Sequence, residues 1–273
     1  MSIFETIVLG IVQGLTEFLP ISSSGHLRIV PALFGWQDPG TAFTAVIQLG
    51  TMAAVLLFFW RDIVRIASAW ARSLWTPELR GTLDARMGWY IGLGTIPIGI
   101  FGILFQDQIS TVARDLRLIG WVLILFGIVL WAVDRLLPQR KTVDDLTWRD
   151  GLLFGLAQSL ALVPGVSRSG ATITAGRALS FNREAAARFS FLLSIPAVVL
   201  SGLYEARKIG DGGGPELVPT IIATIVAFAV GYASIAWLLR WLTRHSMLVF
   251  GIYRVALGAL ILALVYGGVL SAT

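Results

Sequence analysis

Long apolar runs separated by short polar or basic stretches dominate the chain, and the pattern predicts helices of membrane-span length. Residues 2–19 form a first apolar segment that stops at Pro20. Span-like runs follow at 41–60, 88–105, 118–137, 185–204, 217–239 and 247–269, and a second broken segment, 150–164, stops at Pro164. Trp60, Trp89 and Tyr90 stand at run ends, where aromatic anchors meet the interface. Pro97 falls inside a run, which a membrane helix with neighbours tolerates. DGGGP at 211–215 reads as a turn between two spans.

The halves repeat. GIVQGLTEFLP from Gly10 is followed by GLLFGLAQSLALVP from Gly151, an offset of 141, and Gly120 and Gly127 recur as Gly251 and Gly258 at an offset of 131. The predicted organisation is one membrane domain over 1–273, with a first repeat of about 1–137, a polar linker of about 138–149 and a second repeat of about 150–273. Basic residues decide how each broken segment sits. If both enter and leave on one side, one face holds Arg61, Arg65, Arg72, Arg80, Arg86, Arg135, Arg140, Lys141, Arg149, Arg240 and Arg244. The other holds only Arg114, Arg117, Arg207 and Lys208. If both crossed fully, that asymmetry would mostly vanish. The expected fold is therefore an all-α integral membrane protein built as an inverted repeat. Each half has one re-entrant helical hairpin plus three transmembrane helices, and both termini lie outside. Three crossings per half invert the second half, so the hairpin tips approach from opposite faces and meet near the midplane.

Composition supports this and narrows the partners. Only 14% of residues are charged, against about 25% in soluble domains, and mean hydropathy is +0.79. There are no cysteines, which excludes disulfides and thiolate metal sites. The net charge of +5 comes mostly from arginines beside apolar runs. That suits lipid headgroups and membrane orientation, and no nucleic-acid partner is expected. The N-terminus lacks a basic n-region and an A-x-A-like site, so no cleaved signal peptide is expected.

Two stretches break the apolar rule. In the first, Gln13 and Glu17 lie one helical turn apart and are followed by Pro20, Ser22, Ser23, Ser24, Gly25 and His26. An ionisable residue in a span is a functional candidate by default. Gln13 and Glu17 present oxygens on one face, suited to a divalent cation (Mg²⁺ or Ca²⁺) whose shell substrate oxygens would complete. The serines offer a helix cap or a hydroxyl nucleophile, and His26 a general acid or base. In the second, Gly165, Ser167, Arg168, Ser169, Gly170 and Thr172 read as an anion loop. Its glycines let backbone N–H groups converge, its hydroxyls donate, and Arg168 supplies a planar cationic fork. Asp134 with Arg135 reads as a span end, and Arg177, Arg183 and Arg188 read as interfacial. A membrane-embedded phosphate site with room for a long apolar tail points to a lipid phosphate or pyrophosphate.

At these stretches the chain resembles the bacterial undecaprenyl pyrophosphate phosphatase family, associated with bacitracin resistance. The matching residues run from Gln13 through Glu17 to His26, and from Pro164 through Ser167, Arg168 and Ser169 to Thr172. The resemblance implies removal of the terminal phosphate of undecaprenyl pyrophosphate with a divalent cation, at the outer face of the bacterial cytoplasmic membrane. It assigns Gln13 and Glu17 to metal and phosphate handling, His26 to acid–base work and Ser23 to the proposed nucleophile. Arg168 becomes the phosphate-binding arginine, with Ser167 and Thr172 as supporting donors. Gln13, where Glu is also allowed, removes one negative ligand. The expected partners are a polyprenyl pyrophosphate lipid and membrane lipids, with a homodimer allowed. A lipid carrier or transporter is the alternative, since inverted repeats with broken helices also build transporters. A membrane phosphatase resembling the type 2 phosphatidic acid phosphatases fits less well, because its second histidine is missing.

Overall fold

A computed structural model describes residues 1–105, 108, 114–206 and 217–272. The expected turn at 211–215, with Arg207 and Lys208, lies outside the described residues. Among them the named elements are helical. In chain order these are α1 (Ile3–Phe18), α2 (Ser23–Phe34), α3 (Gly40–Phe58), α4 (Trp60–Ser73), α5 (Leu83–Leu104), α6 (Leu116–Leu136), α7 (Trp148–Ser159), α8 (Arg168–Ala178), α9 (Arg183–Ala206), α10 (Leu217–Leu242) and α11 (Leu248–Tyr266).

By length and composition α5, α6, α10 and α11 can each cross a membrane, and Ala42–Phe58 joined to Trp60–Ser73 makes a fifth candidate bent by 70°. The expected run at 185–204 coincides with α9. Both broken segments are too short to span, at 16 residues for α1 and 12 for α7, against about 20 for a crossing. The basic stretch after Trp60 is the amphipathic helix α4. Its Ile66 is buried and Trp70 lies against Gly88 of α5, while Arg61, Arg65 and Arg72 stay on its outer side. A charged stripe around a narrow apolar face lowers the mean hydropathy and hides such a helix from a span-length window.

Glycines set the direction of the helix pairs. Gly10 and Gly14 of α1 press on the carbonyls of Ala223 and Ala227 of α10, so this pair is parallel. In the second half, Gly151 and Gly155 of α7 press on Tyr90 and Gly94 of α5, again in parallel. Gly120 and Gly127 of α6 instead meet Gly258 and Gly251 of α11, in reversed order, so that pair is antiparallel. Small residues at these crossings let backbones approach closely, which membrane helix packing relies on in place of a hydrophobic driving force.

A buried ion cluster ties the far ends of the second break to the bundle. Asp134, at the end of α6, accepts from Arg177 (3.0 Å), Arg183 (2.7 Å) and the Met247 amide (2.9 Å). Arg177 is fully buried and also donates to the carbonyls of Leu137, Pro138 and Phe181. The interfacial reading of Arg177 is therefore corrected: its guanidinium closes off carbonyls at a helix end that would otherwise be buried without partners. The linker is anchored too, since Lys141 exchanges backbone bonds with Ser180 and Asn182 and pairs with Asp150 at 3.1 Å.

Candidate functional site

The two breaks are made the same way. After Pro20 the backbone turns through Ser22 at φ 78°, and after Pro164 through Ser167 at φ 73°. Each serine caps the next helix, accepting from the amide of Gly25 (3.3 Å) or Gly170 (3.1 Å). Each also shares a hydroxyl contact with the serine two residues on, Ser24 (3.3 Å) or Ser169 (3.1 Å). Positive φ is costly for a non-glycine residue. Here the cap bond offsets part of that cost, because it satisfies one of the free amides at a helix start. The result is two helix N-termini, at Ser23 and Arg168, whose first amides and positive dipole ends favour an anion.

The tips touch. Ser169 Oγ donates to the carbonyl of Leu19 at 3.1 Å, and Arg168 Nη2 donates to Glu17 Oε1, 151 residues away in sequence. The other carboxylate oxygen of Glu17 accepts from Ser23 Oγ (2.7 Å) and from the amide nitrogen of Gln13 (3.1 Å). Gln13 is buried and also donates to Thr51 on α3 at 3.3 Å. Glu17 is thus a buried carboxylate that collects a guanidinium, a hydroxyl and an amide, which is how such a charge is tolerated. Beside it is a cavity of about 10 Å³, lined by Glu17, Thr51, Arg168, Ser169, Ser190 and Ser194 among others. That is room for roughly one water. Ser190 and Ser194 of α9 carried no signal, because single serines in an apolar run read as packing.

His26, one turn after Ser23 on α2, is hydrogen-bonded elsewhere. Its ring is buried, with Nδ1 at 2.7 Å from the Ser22 carbonyl and Nε2 at 2.7 Å from Tyr253 Oη. Its hydrogen bonds go to neither Ser23 nor Glu17. The acceptor of the Ser23 hydroxyl is Glu17, and the structure brings His26 to the Ser22 carbonyl and Tyr253. Other predicted residues make local contacts. Ser22 caps α2 and supplies the His26 carbonyl, and Ser24 is exposed. Thr172 is buried and donates to the carbonyls of Arg168 (2.8 Å) and Ser169 (3.3 Å). Gly165 stands at φ 91°.

Arg254, absent from the sequence reading, binds the breaks together. It is fully buried in α11 and donates to the carbonyls of Pro20 (3.0 Å), Val166 (3.0 Å) and Gly165 (2.9 Å). A side chain on Gly170 would meet Arg254 Nη1 at 3.0 Å, so that glycine leaves room for the clamp. The signal was available, since an arginine within an apolar run is a functional candidate. Gln158, at the position in the second stretch that Glu17 holds in the first, is buried with neither side-chain amide atom partnered among the described residues.

For a divalent cation the donors at hand are oxygens: the Glu17 carboxylate, the Ser23 and Thr51 hydroxyls and the Gln13 amide. That set suits Mg²⁺ or Ca²⁺ in kind. Among the described residues no three His, Cys, Asp or Glu side chains gather to hold a metal, so substrate oxygens would have to complete the shell.

Comparison with known proteins agrees with the motifs. Residues 6–260 match the family model described as bacitracin resistance protein BacA. The undecaprenyl-diphosphatase of Thermobifida fusca (strain YX) is 57% identical over 271 residues, covering 99% of this chain and 93% of that protein. That of Kineococcus radiotolerans is 58% identical, covering 100% of this chain and 97% of that protein. The undecaprenyl-diphosphatase of the more distant Prosthecochloris aestuarii (strain DSM 271 / SK 413) is still 53% identical over 278 residues. With a family match over nearly its whole length and relatives of this identity, the chain belongs to the bacitracin resistance protein BacA family.

Proposed function

We propose that this protein hydrolyses undecaprenyl pyrophosphate to undecaprenyl phosphate and inorganic phosphate, recycling the lipid carrier for cell-wall synthesis and giving bacitracin resistance. The observation that carries the reading is Glu17, held between Arg168 of the second break and Ser23 of the first. Ser23 attacks the terminal phosphorus as its proton passes to Glu17, and the bond from that phosphorus to the bridging oxygen breaks. Water then releases phosphate and restores the serine. Arg168 and the two helix N-termini stabilise the charge that builds on the transferring group. The small cavity requires that the incoming phosphate part Arg168 from Glu17, so the guanidinium exchanges a carboxylate for a phosphate of similar geometry.

Gln13 and Glu17 would hold the divalent cation together with pyrophosphate oxygens. Once bound, the ion neutralises phosphate charge and helps orient the leaving group. The protein resides in the bacterial cytoplasmic membrane with its termini outside, and its halves are inverted repeats. The antiparallel packing of α6 on its counterpart α11, beside the two parallel pairs α1–α10 and α5–α7, supports that inversion. Every group named here comes from a single chain.

The test is phosphate release from undecaprenyl pyrophosphate by detergent-purified protein, with and without chelator, beside Glu17→Ala. Release that chelator suppresses and the variant lacks is expected. Tight lipid binding without any release would replace the phosphatase by a lipid carrier.

A further inference from the structure

The proton traffic of His26 has only one outlet. A carbonyl oxygen can only accept, so the Ser22 carbonyl at 2.7 Å fixes the proton of His26 on Nδ1. That leaves Nε2 as the basic atom of the neutral ring, and Nε2 is already occupied by Tyr253 Oη at 2.7 Å. The imidazole is 5% exposed, whereas Tyr253 is 42% exposed. The two rings lie nearly parallel, 9° apart with centroids at 5.6 Å, so the phenol is held in register with the imidazole. Its neighbour Arg254 grips the carbonyls of both breaks, which fixes this turn of α11 against the site. A buried base whose only free nitrogen faces a phenol reaches a reacting group through that phenol.

We propose that Tyr253 is a catalytic residue, the relay through which His26 exchanges its proton. The inference rests on the phosphatase reading above. In the step that consumes water, the attacking oxygen gives a proton to Tyr253 Oη while Tyr253 gives its own to His26 Nε2. The water oxygen bonds to phosphorus, and the bond from phosphorus to the leaving oxygen breaks. That oxygen keeps the electron pair and takes the proton held on Glu17. Tyr253 ends unchanged, and the imidazolium returns its extra proton along the same path to the departing phosphate.

The experiment measures kcat and KM for undecaprenyl pyrophosphate in detergent for the full chain and for Tyr253→Phe, His26→Ala and the double variant. Phenylalanine keeps the ring and its stacking and removes only the hydroxyl. The relay predicts that Tyr253→Phe lowers kcat by roughly 10²-fold, the lower end for acid–base catalysis, with KM changed by less than about twofold, as for a group acting only in the transition state. The double variant should be no slower than His26→Ala alone, because both changes cut one path. Wild-type kcat in Tyr253→Phe beside an impaired His26→Ala overturns the relay and leaves the phosphatase reading intact. A double variant slowed by the product of the single effects also overturns it. Full activity of His26→Ala would sink the role of His26 itself, and the relay with it.

Discussion

The first and second breaks use one backbone device to hold different chemistry. Both turn through a serine at positive φ, cap the next helix with that serine and close a serine–serine contact. The next residue is Ser23 in one and Arg168 in the other, and three further on His26 faces Ala171 as its counterpart. Before the break, Glu17 corresponds to Gln158. The first copy kept an acid, a hydroxyl and an imidazole, and the second kept a cation. Neither copy alone has both a carboxylate to take the proton and a guanidinium to meet the phosphate charge. The comparison teaches that the loop is a holder for a helix N-terminus, on which the two breaks set different residues.

The sharpest way to break this comparison is to take away the second copy's contribution. Arg168→Ala should cut kcat/KM by about 10²–10³-fold, the loss expected for one preorganised donor at developing charge, with the protein still folded by circular dichroism. Normal turnover would show that the second break is only a scaffold. Packing comes next. A side chain at Gly155 would collide with the backbone of Gly94, so Gly155→Ala should destabilise the α5–α7 crossing by about 1–3 kcal/mol, read as a lower thermal midpoint in detergent. An unchanged midpoint would mean that this crossing yields.

Ser22→Ala and Ser167→Ala test the shared device. Each should cost about 1 kcal/mol for the lost cap, and the two losses should match if the turns are equivalent. A marked inequality would mean that one serine also serves the chemistry. Smallest is Gln158→Leu. Removing a buried amide without partners should leave stability unchanged or raise it by about 1 kcal/mol, with turnover within about twofold. A large drop in phosphate release would show that Gln158 shares in the work of Glu17.

Much of this was legible before any coordinates. Apolar run length located the long helices, and the internal repeat paired the two breaks. The cost of placing Glu17, His26 and Arg168 among apolar residues marked them as candidates. Less visible was α4, whose charged side hides its apolar face from a span-length window. Arg177 looked interfacial because position along a run says nothing of whether carbonyls wait nearby. Arg254 could have been singled out as an arginine inside a span, but its partners, backbone carbonyls of the two distant turns and of Leu123, leave no side-chain pattern to read.

By itself the sequence determined the class of protein and marked two similar breaks with their candidate residues, since these follow from hydropathy, spacing and the cost of burying polar groups. Tertiary structure alone decided the partnerships: Arg168 on Glu17, Ser23 on that same carboxylate, and His26 on Tyr253 in place of a serine. The physical reason is range. Hydropathy and helix caps act within a few residues, whereas these bonds join atoms as far as 227 positions apart, set by how helices cross at their glycines.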